Sequence, residues 1–285
     1  MKHSAIALLL GINALFAAPP ENESIAAGPF RLTVPKRLAS GIVVEKVASA
    51  PLYSAEAWAE KERNPLRQLK PCFSIRPQHW AIRLPKAAPK WYEPDLPSFG
   101  DDPTAPQILI HKADEWASIF DDGKVDATAA AKAITSMRSE LTLWVKQPVE
   151  RVGPAYTEGS PAFDCLKKEI KFEGGFGVRG IVQCNSEAEL ARRGKLHYLF
   201  LGLSADGSCQ IIATFPLDLP GLPDDSPGAT HLGYSTTKDY SKFTMDFDRY
   251  EAEVKNWLAD NASKFSPKIE VLDAIMASLV VKHWE

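Results

Sequence analysis

The run Leu196-His197-Tyr198-Leu199-Phe200-Leu201 limits what this chain can fold into more than any other stretch. It is apolar at odd and even positions alike. Alternate residues of a strand point to opposite faces, so a strand with this pattern needs cover on both sides. The run lies in a strand-rich block in which residues 168–172, 178–184, 196–204 and 208–215 read as consecutive strands. Gly174-Gly175 joins the first pair and Ala205-Asp206-Gly207 the last, and both are hairpin signals. Residues 186–194 bridge the middle pair. They are predicted to form one or two helical turns, with Ser186 and Glu189 as a capping box and Gly194 as the stop. Consecutive hairpins build an antiparallel meander.

Other segments supply cover. Phe30-Arg31-Leu32-Thr33-Val34 alternates apolar and polar residues, and residues 41–47 read as a second strand. Further strands are predicted at 72–75, 80–84 and 107–111, and residues 55–70 read as a short helix or a loop. From about 127 to 145, Ala130, Ile134, Met137, Leu141 and Trp144 recur at helical spacing. Tyr250, Val254, Trp257 and Leu258 share one face of a helix over 247–260. A last helix follows Ser266 as N-cap and Pro267, with Ile269, Leu272, Ile275, Met276 and Leu279 as its stripe. The expected class is α+β, an antiparallel meander covered by flanking helices. One domain over 18–285 is expected, with a Pro-rich arm at about 85–106.

The N-terminus reads as an export signal. Lys2 and His3 precede an apolar run from 5 to 17, and small residues and prolines follow before Glu21-Asn22-Glu23. Positive charge, apolar run and small residues in that order are the pattern of a secretory signal peptide over 1–17, cut at Ala17/Ala18, with Ala27 as a second site. The run is shorter than the roughly 20 apolar residues that span a bilayer, and no later stretch is apolar enough to do so. The expected product is a soluble periplasmic or secreted protein. A net charge of −3 with both signs scattered shows no basic stripe, so nucleic acid is not an expected partner.

Chemical motifs are sparse. Gly174-Gly175-Phe176-Gly177 lies between two strands and reads as a turn, not a phosphate cradle before a helix. Asp224-Asp225 lacks the alternating acidic spacing of a calcium loop. No two of the six histidines stand at metal-ligand spacing, and no Gly-x-Ser-x-Gly nucleophile elbow occurs. No cofactor, metal site or catalytic residue is therefore assigned. The aromatic residues Trp80, Trp91, Tyr92 and Phe99 stand out. Trp91, Tyr92 and Phe99 lie in the Pro-rich arm, where they either form an exposed binding surface or fold back and are buried.

Four cysteines, Cys72, Cys165, Cys184 and Cys209, match no zinc spacing, and in an oxidising compartment they are expected to pair. The meander separates Cys184 and Cys209 by a strand, beyond the ~7 Å between Cα atoms that a disulfide tolerates. This leaves Cys165–Cys184, with Cys72–Cys209 by elimination. A two-residue turn at Gly174-Gly175 sets Cys165 opposite Cys184. One more residue in that turn aligns Phe172 with Val178 and Leu166 with Cys184 instead, turning Cys165 to the other face.

Several motifs form a series: Gly177-Val178-Arg179, Leu196-His197-Tyr198-Leu199-Phe200, Gly202-Leu203-Ser204-Ala205-Asp206-Gly207, Phe215-Pro216-Leu217 and Leu222-Pro223-Asp224. The series resembles a group of exported bacterial proteins, often lipid-anchored, that carry a Gly-Leu-Thr-x-Asp-Gly hairpin. Upstream, Pro77-Gln78-His79-Trp80 and Gln107-Ile108-Leu109-Ile110 fit the same layout. The group has no assigned activity, so the resemblance supplies no catalytic residues. Ser204 in place of Thr, Cys184 where an aromatic residue is common, and the missing anchor cysteine are departures. They count against membrane attachment and leave room for a disulfide-bearing branch. The functional expectation is an exported, non-catalytic binding or interaction protein whose partner is a protein or a small-molecule ligand. The alternatives are an extracytoplasmic enzyme with a site assembled from distant residues, and a periplasmic inhibitor or immunity protein.

Overall fold

A computed structural model describes residues 21–51, 75–76, 78–92, 105–113, 127–146, 160–185, 187–236, 240–282 and 284. The N-terminal apolar run, the 55–70 segment, Cys72, Phe99 and Ser186 lie outside the described residues. In chain order the strands are β1 (Asn22–Ala27), β2 (Phe30–Pro35), β3 (Val43–Val47), β4 (Ala50–Pro51), β5 (Ile75–Arg76), β6 (His79–Arg83), β7 (Gln107–Lys112), β8 (Ser160–Phe172), β9 (Gly175–Asn185), β10 (Leu196–Ser204), β11 (Cys209–Pro216), β12 (Thr230–His231), β13 (Tyr234–Ser235) and β14 (Val280–Val281). The helices are α1 (Lys36–Ala39), α2 (Ala127–Trp144), α3 (Tyr240–Met245), α4 (Phe247–Asp260) and α5 (Ile269–Ala277).

The main sheet has seven strands in the order β3-β6-β7-β11-β10-β9-β8, each pair antiparallel. The predicted four-strand meander forms its β8–β11 half. β10 is buried on both faces along most of its length, as its two-sided apolar run requires. One face carries Ile82, Ile108, Ile110, Ile211, Phe200, Tyr198 and Ile181 in a core closed by α4, α5 and β2. Period-2 patterning sets β2 into that core, with Phe30, Leu32 and Val34 buried between Arg31 and Thr33. Tyr250, Val254 and Leu258 recur every four residues on α4 and are fully buried. The other face meets α2 through Leu141 and Trp144, which pack with Val178, Val182, Leu201 and Leu203. The Trp144 indole N–H donates to Asp164 Oδ2 at 2.7 Å.

Several local details differ from the sequence reading. The first hairpin turns on Glu173-Gly174, with Phe172 facing Gly175. Gly174 has φ +90°, and a Cβ there would lie 2.4 Å from the Val281 carbonyl oxygen, because β14 docks on this turn. Residues 187–195 form no helix. Their backbone groups go to tertiary partners: the Gln183 side-chain amide donates to the Leu190 carbonyl at 2.9 Å, and the Ala191 N–H donates to the Tyr250 hydroxyl at 2.6 Å. α5 starts at Ile269 with Lys268 at its cap position, not Ser266. Ser266 is held elsewhere, exchanging backbone hydrogen bonds of 2.8 and 2.9 Å with Asp218. β1 was not anticipated. It pairs along its whole length with β2, which also pairs with β14.

The cysteine pairing is corrected. β8 carries two register shifts, between Pro161 and Phe163 and between Cys165 and Lys168, with Leu166 at φ +51°. The turn at Glu173-Gly174 and the shift between Cys165 and Lys168 together set Cys165 opposite Ile181, and the shift between Pro161 and Phe163 leaves Cys184 facing Pro161. Cys165 is a buried free thiol, so Cys165–Cys184 does not form. Cys209 is buried, with its Sγ 3.5 Å from Ser208 Oγ, and its expected partner Cys72 lies outside the described residues. The arm at 85–106 is not uniformly exposed. Ala87 and Ala105 are buried at its two ends, and the Leu84 N–H donates to the Pro106 carbonyl at 2.8 Å.

Candidate functional site

Three groups of polar side chains offer chemistry. The first lines an open hollow of about 300 Å³ between residues 187–192, the loop after β11 and the start of α3. Glu187, Glu189, Arg192, Asp224, Thr236 and Tyr240 give it a polar lining. Consecutive arginines fasten its loops together. Arg192 binds Glu189 Oε2 at 2.6 Å and Asp225, and Arg193 binds Asp218 Oδ1 at 3.3 Å and Asp224 Oδ1 at 2.7 Å. Ion pairs this exposed contribute little stability, but four of them fix the geometry of the loop. Asp224-Asp225 therefore serves these arginines. The Tyr240 hydroxyl donates to Glu187 Oε2 at 3.2 Å across the mouth.

The floor of the hollow is tied to the short β12–β13 hairpin. Tyr250 Oη accepts the Ala191 N–H and lies 2.9 Å from His231 Nδ1. Among the described residues Nδ1 is the acceptor within reach of the Tyr250 hydroxyl proton, so the neutral imidazole that takes this bond carries its own proton on Nε2. His231 is 5% exposed, and its Nε2 is buried without a hydrogen-bond partner. Burial holds this imidazole down at about 4, so it is neutral near pH 7. The His231 ring lies 4.8 Å from the ring of Trp257, edge to face.

The second group is a row of buried polar residues on the α2 side of the main sheet. His79, His111 and Gln210 face one another across β6, β7 and β11 in register. They are 2%, 0% and 1% exposed. The two imidazoles are in contact, with ring centroids 4.7 Å apart. Four residues along the same face, Arg83 lies opposite Gln107, and its guanidinium pairs with Glu45. Sequence spacing missed the histidine pair because the residues are far apart in the chain. The available signal was that His111 ends a segment predicted as a strand and His79 directly precedes another.

The third group is an ion cluster under α5. Asp273 accepts from Arg179 Nε at 3.1 Å, Lys168 Nζ at 2.9 Å and the Tyr198 hydroxyl at 3.1 Å. Burial and the neighbouring carboxylate push the Tyr198 phenol well above its usual range, so it remains a donor. The cluster ties α5 to the sheet.

The residues singled out from sequence are scattered among these groups. Trp91 and Tyr92 are half-buried and stack edge to face, with ring centroids 6.1 Å apart. Trp91 sits over Gly194, where a Cβ would meet its ring at 3.9 Å, so the arm touches the loop that lines the hollow. Phe99 lies outside the described residues. Trp80 packs on the β1–β2 turn at Gly28. Burial pushes the Cys165 thiol up to about 12, which leaves it unreactive as a nucleophile. Among the described residues, no group of three or more His, Cys, Asp or Glu side chains is placed to hold a metal ion, and no helix is long and apolar enough to cross a membrane. No protein-family model, curated protein or solved structure matches the chain.

Proposed function

We propose that the chain is an exported binding protein that holds a small polar solute in the hollow between residues 187–192 and the start of α3. The observation that carries this reading is the hollow itself. Its volume of about 300 Å³ suits a small molecule, and carboxylates and hydroxyls line it. Carboxylates accept hydrogen bonds, so the fitting solutes are those rich in donors, such as amines and polyols. Buried anchors behind the hollow, Leu190 and Ala191 at 4% and 0% exposed, keep it preformed. Export rests on the order of charge, apolar run and small residues at the N-terminus, and N-terminal sequencing of the mature product tests it. Binding is tested by NMR titration of the mature chain with a panel of amino acids, polyamines and sugars. Shifts concentrated at 187–192, 223–229 and 236–240 are expected for at least one class. No response there from any class overturns the reading.

One observation favours an enzyme instead: the contact between His79 and His111 beside Gln210. Buried imidazoles in contact are groups able to exchange protons. Multiple turnover of a panel solute that is lost in both His79→Asn and His111→Asn would replace the binding reading.

A further inference from the structure

We propose that His231 is a proton-operated latch between the two walls of the hollow, so that acidification loosens the β12–β13 hairpin and releases the bound solute. This rests on the binding reading above for the solute alone. The latch itself stands on the hydrogen bonds that join the walls.

One wall is the 187–192 segment, fixed from behind where Tyr250 Oη accepts the Ala191 N–H at 2.6 Å. The other is the hairpin, whose flanking residues Ala229 and Thr236 line the hollow. His231 links them, because its Nδ1 takes the proton of the same hydroxyl at 2.9 Å. A single oxygen thus holds both walls. Adding a proton to Nδ1 turns that acceptor into a donor. The Tyr250 proton then loses its acceptor, and the imidazole, whose Nε2–H already has no partner, gains a charge in a buried site.

Among the described residues the surroundings offer that charge no free counterion. α4 presents Tyr250 and the Trp257 ring to the imidazole. On that helix the Glu253 carboxylate is engaged by the Tyr234 hydroxyl at 3.2 Å and Arg249 Nε at 3.0 Å. On the hairpin, Tyr234 faces His231 in register. On the far wall Arg192, itself a cation, is bound to Glu189 and Asp225. Opening the hairpin to water is the route by which His231 can be protonated. Its depressed position near 4 agrees with this, since burial alone sets it.

The test is hydrogen–deuterium exchange of the mature chain without ligand, corrected for intrinsic exchange rates, between pH 7 and pH 5. Opening of the 187–192 and 229–236 segments is expected to rise together, on the order of tenfold, because protonation favours the open form. His231→Gln cannot titrate and is expected to abolish that rise. Tyr250→Phe is expected to leave 187–192 more open already at pH 7. Wild-type protection that stays constant, or a rise that persists unchanged in His231→Gln, overturns the latch. Neither result bears on whether the hollow binds a solute. If the NMR panel finds one, its affinity is expected to fall with pH in the wild type and to hold in His231→Gln.

Discussion

The two buried faces of the main sheet are built on different plans, although they are one residue apart in the chain. On the face beneath α4 and α5, Trp80, Ile110 and Ile211 stand in register across β6, β7 and β11. One residue along on the first strand and one on the others, the opposite face shows His79, His111 and Gln210. Among the described residues, buried charge enters the first face beside β8, where Asp273 of α5 answers Arg179 and Lys168. On the second face polar groups occupy the middle of the sheet. The apolar face accounts for stability, since area removed from water contributes roughly 25 cal/mol per Å². The polar face cannot be explained that way, because burying amides and imidazoles costs free energy unless each is hydrogen-bonded. It does fix register. A one-residue slip of β7 would drive His111 and Gln107 into the aliphatic core and set Ile108 and Ile110 in the polar row.

Substitutions on each face break or sharpen this contrast. The largest effect is expected from Phe200→Ala, which removes a fully buried ring packed on Phe172. Loss of about 3–5 kcal/mol in urea unfolding is expected, and a loss below ~1 kcal/mol would place the main core elsewhere. Next is Asp273→Ala, which strands the Arg179 guanidinium, itself 9% exposed. It is expected to cost about 3 kcal/mol, while the double change Arg179→Met with Asp273→Leu recovers most of that. Equal losses in the single and double variants would show that the carboxylate does not answer the arginine.

A smaller effect comes from pH. His231 lies at about 4 in the folded chain against 6.5 in the unfolded one, so the unfolded chain binds the proton first. Its contribution to stability is therefore complete above pH 6.5, falls as pH drops toward 4, and levels off below that. The amount is on the order of 2 kcal/mol, read as the difference between wild type and His231→Gln in unfolding at pH 7 and pH 4. A difference that does not change with pH would remove the imidazole as the cause. The smallest effect, and the one of opposite sign, is expected on the polar face. Gln210 Oε1 is buried without a hydrogen-bond partner, so Gln210→Leu is expected to stabilise by up to about 1 kcal/mol, seen as a small rise in Tm. A clear loss of stability would show that the amide is a working member of the row.

Much of the architecture was legible in the chain. The two-sided apolar run marked β10 as a central strand. Asp206-Gly207 marked a hairpin, and the stripes on α4 and α5 marked the buried faces of those helices. These signals are local: side-chain period and turn chemistry act over a few residues and carry their meaning wherever the segment sits. The segment 187–195 shows where local signals stop. Its capping pattern predicts a helical turn, yet Gln183, Tyr250 and Pro223 take its backbone groups instead. Only the tertiary fold decided that exchange, because the competing partners lie as far as 59 residues away.

The cysteines and histidines separate in the same way. The sequence by itself determined that the strand following Cys165 pairs with the strand of Cys184, and that His79 and His111 stand at or beside strand segments. The tertiary structure decided which residues meet. The turn at Glu173-Gly174 and one bulge in β8 set Cys165 opposite Ile181, and the pairing of β6 with β7 brings two distant imidazoles into contact. Register and strand neighbours depend on how whole faces are buried against each other, and each added or removed residue turns every later side chain to the opposite face.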